Sequence, residues 1–231
     1  MKKSFFGTVV VILIAFALFV SCSQEQSVSE NLVENGDFEN GNRTDVYANG
    51  CWSYIASGKG INGSKALDVT PAEAWGRIEI PITSYYGQGK SYYVEGSFRN
   101  NGSTGSDPTV RVSYIVVSDA VASHFKNPLF ECNDIFGGKL LSNEEAKTLF
   151  GIDTNPSAEI GNEYVTVSAV IPATEIDRIL TETTQKYGSG DPSLVRFYVC
   201  FSVGGETDHT AYSYYVDNVV IKDLNSELPK Q

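Results

Sequence analysis

NLVENGDFENG, residues 31–41, opens the folded part of this chain. Leu32 and Val33 are apolar, and Asn35-Gly36 and Asn40-Gly41 are turn pairs, so the stretch reads as a first β-strand running into a glycine turn. The eight residues before it, SQEQSVSE (23–30), are polar and featureless and read as a tether. Upstream lie basic Lys2 and Lys3, an apolar run TVVVILIAFALFV (8–20) and Ser21-Cys22, the layout of a secretory signal. The apolar run is too short to span a bilayer comfortably. The expected organisation is a signal peptide over 1–21, a tether over 22–30 and one domain over 31–231.

LFVSC resembles a bacterial lipobox. That resemblance implies cleavage before Cys22, lipidation of Cys22 and attachment to a membrane through the lipid alone. Ser23 in place of aspartate implies the outer membrane. The mature chain has about 210 residues, enough for one large domain or two small ones. No internal repeat or break in composition marks a second. Loss of Lys2 and Lys3 takes the formal charge from −11 to −13. A surface that acidic argues against nucleic acid, whose phosphates need Lys and Arg, and leaves room for a bound cation. With Cys22 taken by lipid, Cys51, Cys132 and Cys200 remain. One disulfide plus one thiol, or three thiols, both fit, and the spacings match no metal motif.

Eight further segments alternate with period two between Gly, Asn, Pro or Ser boundaries: 51–56, 65–69, 76–82, 91–99, 109–117, 163–171, 194–203 and 213–224. Ile78, Ile80 and Ile82 share one face of theirs. So do Val110, Val112, Tyr114 and Val116, and likewise Val165, Val167, Ala169 and Ile171. Val195, Phe197, Val199, Phe201 and Val203 complete the pattern. Roughly nine strands with one apolar face each call for an all-β sandwich of two packed antiparallel sheets. SNEEAKTLF (142–150), with Ser142 and Glu145 at capping-box spacing and Gly151 as a stop, predicts a short helix. ATEIDRILTETTQKYG (173–188) predicts another. These are two helical insertions within long connections.

The opening stretch resembles the start of carbohydrate-binding modules of families 4, 9 and 22. The likeness continues through Trp52, KALDV ahead of Trp75 and GRIEIPI, GKSYYVEGSFRN (89–100), and the closing YYVDNVVI (214–221). It covers about two-thirds of the mature chain and leaves out 118–160 and 173–192. It implies a jelly-roll β-sandwich that binds a polysaccharide or oligosaccharide, without catalysis, on the concave face of one sheet.

Sugar rings offer flat C–H faces and a rim of hydroxyls, so their sites want aromatic faces beside hydrogen-bonding side chains. Strand parity puts Trp75, Arg77 and Glu79 on the non-core face of one strand. It puts Tyr93, Glu95, Ser97 and Arg99 on that of another, and Arg196, Tyr198 and Ser202 on that of a third. Parity cannot say which stripes share a sheet. The resemblance singles out Trp75 as a stacking residue; a cap on the sandwich edge is the alternative. Trp52 and Tyr54 are further candidates, although a tryptophan after the first turn also suits the core end. The resemblance also implies a structural calcium, with Glu39 and Asp217 as its ligands. The same residues suit turn closure, Asp37 and Asp217 bonding to nearby backbone.

Catalysis finds little support. Glu175-Ile-Asp177-Arg-Ile-Leu180 resembles the Glu-x-Asp-x-x-Glu run of a jelly-roll glycosidase family, but Leu180 replaces the second glutamate and the context reads as helix. His124 and His209 lack partnered Cys or Ser motifs. The expectation is a non-catalytic glycan binder at the cell envelope. A protein-interaction or adhesion module, using the two insertions as its contact surface, is the alternative.

Overall fold

The computed structural model describes residues 30–73, 76–81, 89–102, 108–118, 139–187, 195–204 and 212–226. Among them are ten strands and two α-helices. In chain order the strands are β1 (Tyr47–Asn49), β2 (Cys51–Ala56), β3 (Ala66–Pro71), β4 (Arg77–Pro81), β5 (Tyr92–Asn100), β6 (Thr109–Ser118), β7 (Ser157–Glu159), β8 (Val165–Ile171), β9 (Val195–Gly204) and β10 (Tyr214–Asp223). Helix α1 is Asn143–Phe150 and helix α2 is Ala173–Tyr187.

The strands form two five-stranded antiparallel sheets. The first has the order β1-β4-β9-β6-β7 and the second β2-β3-β10-β5-β8. Apart from β2–β3 and β6–β7, neighbouring strands are not consecutive in the chain, so the chain repeatedly crosses between layers, as in a jelly roll. The inner faces are the apolar stripes of the alternating segments. Ile78, Ile80, Val110, Val112, Tyr114, Phe197, Val199, Phe201 and Val203 come from the first sheet, and Leu67, Val69, Val94, Phe98, Val167, Ala169, Tyr214 and Val216 from the second. Rings interlock across the layers, with Phe98 and Phe201 centroids 5.1 Å apart and tilted by 44°.

The opening stretch is not a strand. It is a run of turns laid along β10: the Leu32 N–H donates to the Ile221 carbonyl at 2.8 Å and the Val219 N–H donates to that of Gly36 at 2.8 Å. The Asn31 amide takes over what a strand backbone would do, accepting from the Ile221 N–H at 2.9 Å and donating to the Val219 carbonyl at 3.0 Å. A regular ladder is ruled out on both sides. Asn35 and Phe38 have φ of 56° and 58°, and Asn218 has φ of 50° where the register of β10 shifts. The segment instead drives Val33 and Phe38 into the core.

Two short strands, β1 and β7, lack an alternating signature, being three residues long. Both helices lie where the pattern places them. In α1 the capping box closes, with the Glu145 N–H donating to Ser142 Oγ at 3.3 Å and the Ser142 N–H donating to Glu145 Oε2 at 2.9 Å, and Gly151 takes the left-handed C-terminal position at φ 70°. Helix α1 lies over part of the outer face of the second sheet. There Ala146, Val170 and Leu224 form a small buried cluster with Tyr93, Leu141, Phe150 and Ile152. Helix α2 packs against β6 and buries Ile176.

Candidate functional site

The outer face of the first sheet is written in its register. Tyr47 on β1 stands opposite Glu79 on β4, which stands opposite Cys200 on β9. One row along, Asn49, Arg77 and Ser202 are in line; one row the other way, Pro81 faces Tyr198. With neighbouring strands about 4.8 Å apart, these side chains converge on a cleft of about 590 Å³ lined by Arg43, Tyr47, Asn49, Glu79, Pro81 and Tyr198, together with Val46, Ala48 and Cys51.

Its floor is charged. Arg77 Nε donates to Glu79 Oε1 at 2.7 Å, and Asn49 Nδ2 donates to the same oxygen at 3.2 Å. Glu79 is only 1% exposed. A carboxylate that deep persists only when paired and hydrogen-bonded, and here it is both. Its walls are aromatic, Tyr47 being 55% exposed and Tyr198 half-buried. The two described thiols, Cys51 and Cys200, are free. Burial pushes both up to about 12, with the Glu79 charge adding to the effect. Both are therefore protonated at neutral pH and poor nucleophiles.

Of the candidates read from the sequence, Glu79 and Tyr198 line this cleft, and Arg77, which is not part of the lining, holds Glu79 from the same face. Trp75, two residues before Arg77 in sequence, lies outside the described residues, as do Cys22, Cys132, His124 and His209. Trp52 and Tyr54 do not join them. They lie on β2 in the opposite sheet, 75% and 62% exposed. The core-end reading of Trp52 is thereby corrected. Cys51 and Ile55 pack against the core instead, so parity turns Trp52 outward. Tyr93, Glu95, Ser97 and Arg99 also belong to that opposite sheet. Sequence reading missed Tyr47, Asn49 and Arg43. The available signal was the Tyr-Ala-Asn-Gly run at 47–50, which places two polar side chains on one side just before a turn. Glu175 and Asp177 stand on α2, where Glu175 pairs with Arg178 at 2.8 Å; they are on a helix, not on a strand flanking a bond.

Glu39 and Asp217 meet at the end of the sandwich where the opening loop, the start of β3 and β10 come together. Asp217 Oδ2 accepts from the Ile61 N–H at 2.8 Å and Ser64 Oγ at 3.2 Å, and Oδ1 from the Asn218 N–H at 2.8 Å. Glu39 Oε1 accepts from the Lys65 N–H at 2.7 Å, while the Lys65 ammonium donates to the Glu39 carbonyl at 2.7 Å. Asp37 closes its own turn, accepting from the Glu39 N–H at 3.2 Å. The turn-closing geometry is thus present at both aspartates. Burial, and secondarily the Glu39 charge, raise the Asp217 carboxyl above its ordinary value. The space a Gly60 side chain would fill is ringed by Asp217 Oδ2, Ser64 Oγ and the Lys65 carbonyl. Such hard oxygens suit calcium. Among the described residues no cluster of three or more His, Cys, Asp or Glu side chains exists, so carbonyls would have to complete any shell.

No protein-family model matches the chain, and no characterised protein matches it by sequence. Solved structures do. The N-terminal CBM22-1–CBM22-2 tandem domain of Paenibacillus barcinonensis Xyn10C, a pair of carbohydrate-binding modules, superposes with a TM-score of 0.52 at 14% identity, over 84% of this chain and 45% of that one. This chain spans about half the length of that tandem. The separate CBM22-2 and CBM22-1 xylan-binding domains of the same protein give TM-scores of 0.49 and 0.48 at 15% and 14% identity. Each covers 81% of this chain, and 96% and 91% of theirs respectively. The tandem's likeness establishes the class of fold, the jelly-roll β-sandwich of carbohydrate-binding modules.

Proposed function

We propose that the protein binds a polysaccharide or oligosaccharide, without catalysis, in the cleft on the outer face of the first sheet. One observation carries this reading: Tyr47 and Tyr198 line an open cleft of about 590 Å³ together with Glu79, which a bond from Arg77 holds fixed. Aromatic faces would take the C–H faces of a sugar, and the guanidinium, carboxylate and Asn49 amide its hydroxyls. The sequence adds Trp75 to this group. Glycoside hydrolysis wants two carboxylates flanking the bond. Glu79 is the one carboxylate among the described lining residues, and it is already paired with Arg77. The fold's likeness to xylan-binding domains makes xylan the first ligand to try.

Titration of the purified protein against xylan, β-glucans, mannan and host glycans tests the reading. A binder should emerge whose affinity falls roughly ten- to thirtyfold in Tyr198→Ala, the loss expected when a central aromatic contact is removed. A folded protein that binds no glycan sinks the proposal and turns attention to protein partners of the insertions. A lipid on Cys22 would hold the site at the cell envelope. Among the described residues no helix is long and apolar enough to cross a membrane.

We infer in addition that calcium sits at the Asp217 corner, drawing on Asp217, Ser64, Lys65 and Glu39. The cation would offset the burial, and secondarily the Glu39 charge, that raise the Asp217 carboxyl. At a calcium concentration a hundred times its Kd the gain would be about 2.7 kcal/mol, a melting-temperature rise of roughly 5–10 °C for a domain this size. The sign of the pH effect follows from the raised carboxyl. In calcium-free protein this group's contribution to stability is fully present below the ordinary aspartate value and is lost as pH rises through the raised one. Chelator should therefore lower the melting temperature at neutral pH and lose its effect as Asp217 protonates. Equal melting curves with calcium and with chelator at pH 7 would remove the ion.

A further inference from the structure

The outer face of the second sheet divides into two unlike halves. Helix α1 and its apolar cluster cover one. The other carries a cross-strand row: Tyr54 on β2 opposite Asp68 on β3, Asp68 opposite Tyr215 on β10, and Tyr215 opposite Arg99 on β5; the row is exposed at Tyr54, half-buried at Arg99, and buried at Asp68 and Tyr215 between them. Three strand spacings make the row about 14 Å long. Trp52, two residues from Tyr54 on the same face, is the most exposed of the large apolar residues described, at 75%.

The row is built, not merely bare. Asn101 Nδ2 donates to Asp68 Oδ1 at 2.8 Å, and Asp68 faces Tyr54 across the β2–β3 pair, where its carboxylate raises the Tyr54 hydroxyl above its ordinary value. Arg99 lies between two rings, 4.9 Å from the centroid of Tyr215 and 5.0 Å from that of Tyr164. Its Nη2 donates to the Lys59 carbonyl at 2.7 Å. Its Nε is buried and finds no acceptor among the described residues. The Lys59 ammonium stands 6.0 Å above the Tyr215 ring.

Chemistry separates this face from a bed for a helix or a second copy of the chain. Such beds are apolar and covered, like the half under α1. Here the exposed apolar groups are two aromatics with polar edges, followed by fixed hydrogen-bonding groups. The charges are sorted as well. Asp68 and Asp217 are 3% and 2% exposed, whereas Lys59 is exposed and Arg99 half-buried. A chain of formal charge −11 thus shows solvent a small cationic end beside an aromatic platform.

We propose that this half-face is a second glycan-binding site, in which Trp52 and Tyr54 carry a sugar ring and Arg99 with Lys59 take a carboxylate of the same saccharide, a uronic-acid-containing glycan. It is separate from the first-sheet cleft and does not depend on it. The length of the row suits a short oligosaccharide rather than one sugar.

The test is calorimetric titration of the full-length protein with oligogalacturonate and, separately, with neutral xylo-oligosaccharide, at low and high salt. Oligogalacturonate should bind, at least tenfold more weakly in Trp52→Ala and in Lys59→Ala, and more weakly in salt, which screens exposed charges. Tyr198→Ala, which disables the first-sheet cleft, should leave that binding unchanged, so the two sites fail independently. Both Trp52 and Lys59 are exposed, and their variants should keep the parent melting temperature. Three results would overturn the proposal: no oligogalacturonate binding by the folded protein, binding indifferent to Trp52→Ala, or neutral saccharide bound equally well by this face with and without Lys59. A sedimentation coefficient that falls in Trp52→Ala would assign the face to self-association and overturn it too.

Discussion

Gly36→Ala should lower the melting temperature by roughly 6–12 °C. A Cβ at Gly36 would fall well inside van der Waals contact with the Val219 carbonyl oxygen and 3.0 Å from its carbon. Both are backbone atoms of β10, so neither can swing aside. Relief requires the opening loop to lift off that strand. The bond from the Val219 N–H to the Gly36 carbonyl, 2.8 Å long, lifts with it. Overpacking of this kind costs about 1–3 kcal/mol and the hydrogen bond about 1 more. Taken at its middle, about 3 kcal/mol, and at 2–4 °C per kcal/mol for a domain of roughly 200 residues, this gives the stated range. Val33 and Phe38 would be drawn from the core by the same movement. Gly161→Ala is the control, because a Cβ there meets nothing within 4 Å. Equal melting temperatures for both variants would show that the opening stretch does not anchor the sandwich.

Arg77→Ala should be the most damaging single change in the cleft. It strips the nearest charge from Glu79, which is 1% exposed and would keep Asn49 as its donor. Removing one partner of a buried pair costs about 3–5 kcal/mol, because a buried charge is left uncompensated. A fall in melting temperature of roughly 10 °C is expected. Arg77→Lys should fall between, since an ammonium keeps the charge without the planar fork. The double variant Arg77→Leu with Glu79→Leu should recover much of the stability, because an apolar pair needs no partner. It should recover none of the glycan affinity. Stability and binding would then separate, as a functional pair requires. Recovery of both would reduce the pair to a structural device.

Much of the architecture was legible because strand alternation is local. The apolar stripes of 109–117 and 194–203 predicted which of their residues would be inside, and the described members are inside. The capping box at Ser142 and Glu145 is likewise a matter of four neighbouring residues. The site was legible only in part. Parity paired Arg77 with Glu79 and turned Tyr198 outward, but β1 is three residues long and shows no period, so Tyr47 and Asn49 left only the weak signal of two polar side chains just before a turn. Parity also put Trp52 and Tyr54 on one face without saying which side of β2 the core would take. Its place after the first turn suited Trp52 to the core end; the core took Cys51 and Ile55.

By itself the sequence determined the two-layer all-β class, the helical insertions and the inner face of most strands. These follow from side-chain period and end signals, which act over a few residues. Tertiary structure alone decided that Arg77 and Tyr198 share a sheet while Trp52 and Tyr54 belong to the other, and that the opening stretch is a plug of turns and not a strand. Those outcomes depend on pairings between residues far apart in the chain, such as Gly36 with Val219 and Pro81 with Tyr198. Side-chain periodicity carries no record of which distant strand supplies the partner.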